Sequence, residues 1–246
     1  MNNIKKIGLT ALAGSLVAGS VSAADLSVTG SATMSYSGGD SKATTGNGWT
    51  MADSVTFSAS GDVNDIGVTL SLELDGDAAD GTNQLDSQSI TFDLGDAGTL
   101  IFAGHGGSSA MSAVDDVMPT AYEEPWDVVT GADADIIGGH SGNNMFTYKY
   151  SHDSGVNLTL AYINAADAVT DVSYSDVGIS YTGVEGLTIG YAEGNVEQTA
   201  LTESDEHTLY ATYAMGAMTV GVQTSEKDVS GGSTSDTESQ GFGLSY

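Results

Sequence analysis

Apolar and polar residues alternate along most of this chain with a period of two, the signature of β-strands that present one apolar and one polar face. The alternation starts at Leu26 and runs through Val28, Gly30, Ala32, Met34 and Tyr36, with Ser27, Thr29, Ser31, Thr33 and Ser35 between them. It returns as Val55, Phe57 and Ala59, then as Ile66, Val68, Leu70, Leu72 and Leu74, then as Ile90, Phe92 and Leu94, and as Leu100 and Phe102. After a long interruption come Phe146, Tyr148 and Tyr150, then Val156, Leu158, Leu160 and Tyr162, then Val177, Ile179 and Tyr181, and then Leu187, Ile189 and Tyr191. Leu209, Ala211 and Tyr213, then Met218, Val220 and Val222, and finally Phe242, Leu244 and Tyr246 bring the expected strands to twelve.

The connections alternate in length. Short turns are expected at 64–65, 95–98, 152–155, 183–186 and 214–217, and longer acidic loops at 38–50, 75–86, 105–143, 165–171, 193–205 and 227–238. Hairpins with short turns at one end and long loops at the other describe a membrane barrel. Soluble barrels alternate too, so periodicity alone does not say which face points inward. Two features decide it. The polar face is almost entirely Ser, Thr, Gly, Asn and Gln, where a barrel in water would carry Lys and Glu on its outer face. Tyr150, Tyr181, Tyr191, Tyr213 and Tyr246 recur near strand ends, where an amphipathic ring suits a membrane–water boundary. The expected fold is all-β, a transmembrane antiparallel β-barrel with an apolar outside and a polar lumen. Val28, Phe57, Leu70, Leu160, Ile189 and Leu209 should face lipid.

The first 23 residues stand apart from this pattern. Lys5 and Lys6 precede an apolar stretch over 7–21, and Val21-Ser22-Ala23 offers a small-x-small cleavage site, so residues 1–23 read as a secretory signal peptide and 24–246 as the barrel domain. There is no Cys, which removes a lipoprotein anchor, a disulfide framework and thiolate chemistry. The formal net charge is −28, with 33 Asp and Glu residues and no Arg; beyond the leader the only bases are Lys42, Lys149 and Lys227. Such a surface repels phosphate backbones and attracts cations, so a nucleic-acid function is excluded. Hydrophobic residues at 40% and 11 Tyr argue against the disorder that strong acidity otherwise signals.

Three stretches carry a family resemblance: the leader with the first strand; residues 92–105, Phe-Asp-Leu-Gly-Asp-Ala-Gly-Thr-Leu-Ile-Phe-Ala-Gly-His; and Phe146-Thr-Tyr-Lys-Tyr150 followed by 156–162. In these the chain resembles the general porins of Gram-negative bacteria, in the branch found in alphaproteobacteria. The resemblance implies export through the Sec pathway to the bacterial outer membrane and contact there with lipid and lipopolysaccharide. It also implies a homotrimer of barrels, normally of sixteen strands, whose third long loop folds inward to narrow the pore. Here that loop is 105–143, the longest. Two features depart from the family. Twelve strands rather than sixteen leave two readings, a chain cut short at the C-terminus, which the family's strand number favours, or a true end at Tyr246, an aromatic closing an alternating strand. The basic cluster that usually faces the acidic third loop is missing, and Gly104-His105 stands where Gly-Arg is usual.

The acids of that loop, Asp115, Asp116, Glu123, Glu124 and Asp127, are candidates for a constriction, where carboxylates raise the local concentration of cations and repel anions. The bland alternative is a solvated loop outside the pore. His105 at its start is a candidate pore-mouth residue. Lys149, on the polar face of a strand, would oppose the acids, or else snorkel towards an interface. Asp75, Asp77 and Asp80 put oxygen ligands on one turn, but the full spacing of a calcium loop is absent, so loosely held Ca or Mg is all they suggest. No His pair has zinc-helix spacing, no cofactor is implied, and Ser and Asp are too abundant for any triad to stand out. The expected function is a non-enzymatic, water-filled, cation-preferring channel for passive diffusion of small hydrophilic solutes. The rival is a structural or adhesion barrel with a plugged lumen and acidic outer loops that bind divalent cations.

Overall fold

Twelve strands and one short 3-10 turn are found among the described residues, each strand near an alternating run of the sequence. The computed structural model describes residues 25–36, 49–75, 85–114, 117–119, 142–164, 173–199, 202–230 and 236–246. The expected signal peptide lies outside them. No helix among them is long and apolar enough to cross a membrane, which says nothing about a chain that crosses with strands.

Two units are distinguished, 1–94 and 95–246. The first is an antiparallel meander of β1 (Asp25–Tyr36), β2 (Trp49–Val63), β3 (Ile66–Asp75) and β4 (Leu85–Asp93). Its register aligns like with like. Val28 pairs with Phe57, Phe57 with Leu72, and Leu70 with Ile90, while Ser58, Ser71 and Ser89 pair in a row on the other face. The β2–β3 turn has positive φ at Asn64 (52°) and Asp65 (64°), the two-residue geometry whose twist matches that of the flanking strands. Asn and Asp tolerate it because short polar side chains reach the left-handed region most easily among non-Gly residues.

The second unit holds β5 (Thr99–His105), β6 (Met145–Ser151), β7 (Val156–Ile163), β8 (Ser173–Val184), β9 (Leu187–Thr199), β10 (Thr202–Met215), β11 (Met218–Ser230) and β12 (Thr237–Ser245), each antiparallel to the next. A 3-10 turn at Gly95–Ala97 leads into β5.

Burial is inverted relative to a protein folded in water. Leu160, Ile179, Ile189, Leu209 and Val222 are 40–49% exposed, and in the first unit Val28 and Leu70 are about half exposed. Phe57 lies on that same face, half-buried. The alternate positions Tyr174, Asp176, Ala192, Thr208, Gln223 and Ser225 are the buried ones. The expected outward face is therefore the apolar one, as strands immersed in lipid require.

Three expected loops are shorter than the acid-rich sequence suggests. Strands β9 and β10 run on to Thr199 and from Thr202, so most of 193–205 is a continuous hairpin, and β11 and β12 likewise reduce 227–238 to 231–236. Trp49 and Thr50 belong to β2. The acids remain in strand because they find partners across the ladder. The Asn195 side chain donates to Glu203 and to Asp205, both at 2.8 Å, and His207 Nε2 lies 3.3 Å from Glu226.

Candidate functional site

The loop that follows β5 is closed at its base. Gly107 and Gly142 exchange backbone hydrogen bonds of 3.0 and 3.2 Å, and residues 108–114 and 117–119 lie over the polar face of the second unit. Thr147 on β6 donates its hydroxyl to the Ser108 carbonyl at 3.1 Å. On β8, the Asp176 carboxylate accepts the Met111 N–H at 2.8 Å and the Tyr174 hydroxyl at 2.9 Å through the same oxygen, Oδ2. Tyr174 OH in turn lies 3.4 Å from Ser109 Oγ. On β11, the Gln223 amide donates to the Val114 carbonyl at 2.9 Å.

Small residues make room for this crossing. A Cβ built on Gly178 would lie 2.9 Å from Ala110 Cβ, one on Gly194 would lie 3.0 Å from Met111 Cγ, and one on Gly221 or Gly243 would lie 2.6 Å from Pro119 Cδ. The wall is thus inlaid along the path of the segment. Met111 and Val114 pack on Ala192 in one apolar cluster, with Val117 and Tyr210 against it. A hollow of about 110 Å³ remains beneath, lined by Ala113, Asn157, Thr159, Ser180 and Tyr210 among others.

Lys149 on β6 shares the face of Thr147 and Met145, and is exposed. It pairs in register with Thr99 and Thr159. His105 ends β5 on the same face but six positions from Thr99, roughly 20 Å along the strand at about 3.3 Å per residue, so the two candidates sit at opposite ends of the wall. The five candidate acids, Asp115, Asp116, Glu123, Glu124 and Asp127, lie outside the described residues. So do Asp77 and Asp80, while Asp75 closes β3. Among the described residues no group of three His, Asp or Glu side chains is placed to hold a metal ion.

Reading the sequence did not single out Asp176, Gln223 or Glu206. Each is a polar-face residue within a strand; for Asp176 and Glu206 the signal available was a carboxylate within a polar face of Ser, Thr and Gly, and for Gln223 there was none. In the first unit the same face carries Asp25, Asp62 and Asp93 around a hollow of about 250 Å³, with Asp62 and Asp93 each in register with Gly67. What this arrangement can do, in the second unit, is hold a polar surface in place with a segment fixed upon it.

The profile of the Gram-negative porin family matches residues 8–246. No curated protein matches the chain. Among solved structures it is similar to the outer-membrane protein OmpT of Vibrio cholerae, with a TM-score of 0.55 and 14% identity over 84% of this chain and 65% of that one. It is likewise similar to OmpF of Salmonella typhi, solved in complex with daunomycin, with a TM-score of 0.56 and 13% identity over 82% of this chain and 65% of that one. An anion-selective porin of Comamonas acidovorans gives a TM-score of 0.53 and 18% identity, over 89% of this chain and 73% of that one. The chain therefore spans just under two thirds of the length of the first two.

Proposed function

Because the chain belongs to the Gram-negative porin family, whose place is the bacterial outer membrane, we propose that it forms a water-filled channel for passive diffusion of small hydrophilic solutes and ions, with a preference for cations. The observation that carries this reading is the inverted burial of the second unit, with apolar side chains outward and the segment 108–114 seated on the polar face. That segment leads into the acid-bearing stretch with Asp115, Asp116, Glu123, Glu124 and Asp127, which the proposal places at the narrowest level of the pore.

Charge supports the sign of the selectivity. Carboxylates outnumber lysines about tenfold beyond the leader, and screening at physiological salt reaches only about 8 Å, so a pore lined by this chain stays negative. A similar fold serves an anion-selective porin in Comamonas acidovorans, so the fold alone does not set the sign of selectivity. The proposal includes a homotrimer in contact with lipid and lipopolysaccharide, and no resident cofactor. Reversal potentials across a KCl gradient in planar bilayers test it. The expected sign is that of cation flux; chloride preference ends the selectivity reading, and an absence of conductance favours a structural barrel with a plugged lumen.

A further inference from the structure

We infer that Asp176 is the positioning residue of the inward segment, fixing its height on the wall through the Met111 N–H. The inference rests on the reading of 105–143 as the constriction only for its effect on conduction; the anchoring itself stands on geometry. Asp176 is 7% exposed, and both bonds it accepts converge on Oδ2. One comes from the backbone of the segment and one from Tyr174, a neighbour on its own strand whose hydroxyl also approaches Ser109. A carboxylate accepting an N–H makes a charge-assisted bond, stronger than a neutral one. Its partners are buried with it: Ser109, Ala110 and Met111 are all at most 2% exposed.

Of the segment's other contacts with the wall, Thr147 donates a neutral hydrogen bond to the Ser108 carbonyl before Met111. Gly178, Gly194, Gly221 and Gly243 admit the chain without holding it, since close approach to a glycine supplies no directional bond. Gln223 holds the Val114 carbonyl three residues further on. Asp176 supplies the negatively charged acceptor at the first turn of the crossing, the one formed by the Val114 N–H to Met111 carbonyl bond of 3.0 Å. Moving Met111 away would cost Asp176 one of its two donors and leave it the Tyr174 hydroxyl alone, so the seated arrangement is preferred by the strength of that one charge-assisted bond.

The second oxygen makes the test clean. Among the described residues Asp176 Oδ1 has no hydrogen-bond partner. In Asp176→Asn the amide nitrogen can take that place while the remaining oxygen accepts both bonds, whereas Asp176→Ala loses both.

The experiment uses the full chain in membranes with a Val114→Cys reporter, a clean label because the protein has no cysteine of its own. Val114 is 8% exposed, so thiol labelling should be slow. Adding Asp176→Ala should speed it roughly tenfold or more, the scale of losing a bond to a charged group. Adding Asp176→Asn instead, which keeps a neutral acceptor for both donors, should give a rate between those of the reporter alone and the alanine variant. A folded Asp176→Ala channel with unchanged labelling overturns the inference. Should that variant fail to insert, Tyr174→Phe, which removes one of the two donors and keeps the ring, should speed labelling about two- to fivefold; no change there overturns it equally. If labelling rises in the folded alanine variant while single-channel conductance stays fixed, the anchor stands and the constriction reading falls.

Discussion

Glu206 and Lys227 face each other in direct register across β10 and β11, with Nζ 2.5 Å from Oε1 and the glutamate only 4% exposed. The pair leaves the polar wall with less net negative charge than its acids suggest, because this carboxylate is committed to a cation. Removing one partner of a buried pair is costly, and the lysine's partial exposure discounts that cost. Glu206→Gln should lower stability by about 1–3 kcal/mol in urea unfolding of the refolded protein, and Glu206→Gln with Lys227→Met should recover part of it. In bilayers the single variant should shift the reversal potential towards anions, since Lys227 is left without its counter-charge. An unchanged potential would place the pair away from the conducting path.

The two faces of the sheet predict opposite tolerance to charge. Leu70→Lys and Leu160→Lys lie on the outward face and should each impair insertion, at a cost of about 2–4 kcal/mol near the bilayer midplane. Ser71→Lys, which pairs in register with Ser58 and Ser89 on the other face, should insert normally. Folding yield in lipid vesicles measures both, and the reverse ranking would mean that the outward face has been assigned wrongly.

The inlaid glycines give a third prediction. Gly221→Val or Gly243→Val would drive a side chain into Pro119, which already sits where a Cβ would be. Overpacking of this kind costs about 1–3 kcal/mol, and here it can be relieved by lifting the segment rather than by unfolding the strands. The expected result is a normal strand content by circular dichroism together with faster labelling of the Val114→Cys reporter. Loss of the strands themselves would show that the segment is part of the folding core.

Deleting residues 114–131 removes the acids Asp115, Asp116, Glu123, Glu124 and Asp127 with the chain that carries them. Single-channel conductance should rise and cation preference should weaken. A channel of the original conductance and selectivity would show that the narrowest level lies elsewhere.

Much of this architecture was legible because a period of two is a local property. Leu70 and Ser71 reveal their faces to anyone who reads four residues either side, and Asn64-Asp65 announces its turn. Acids misled where they were satisfied at a distance. Glu203 and Asp205 suggest a loop, and only their pairing with Asn195 shows why they stay in strand. Asp176 was harder still, since its partner Met111 is 65 positions away and nothing near either residue advertises the other. Lys149 could be assigned to the polar face by counting, whereas its distance from His105 depended on the register of two strands.

The long β9–β10 hairpin has a consequence for solvent exchange. A membrane strand needs about 9–11 residues, and these have 13 and 14, so the hairpin extends roughly 10 Å past the hydrocarbon at about 3.4 Å per residue. Amide hydrogens beneath that level are slow to exchange because lipid keeps water out. Those of residues 197–199 and 202–205 fall beyond that level and are held by the ladder, in a ribbon that Asn195 ties from below through Glu203 and Asp205. Deuterium uptake should therefore rise in two steps along these strands, the outer one set by the sheet's own hydrogen bonds and accelerated when Asn195 is replaced by alanine.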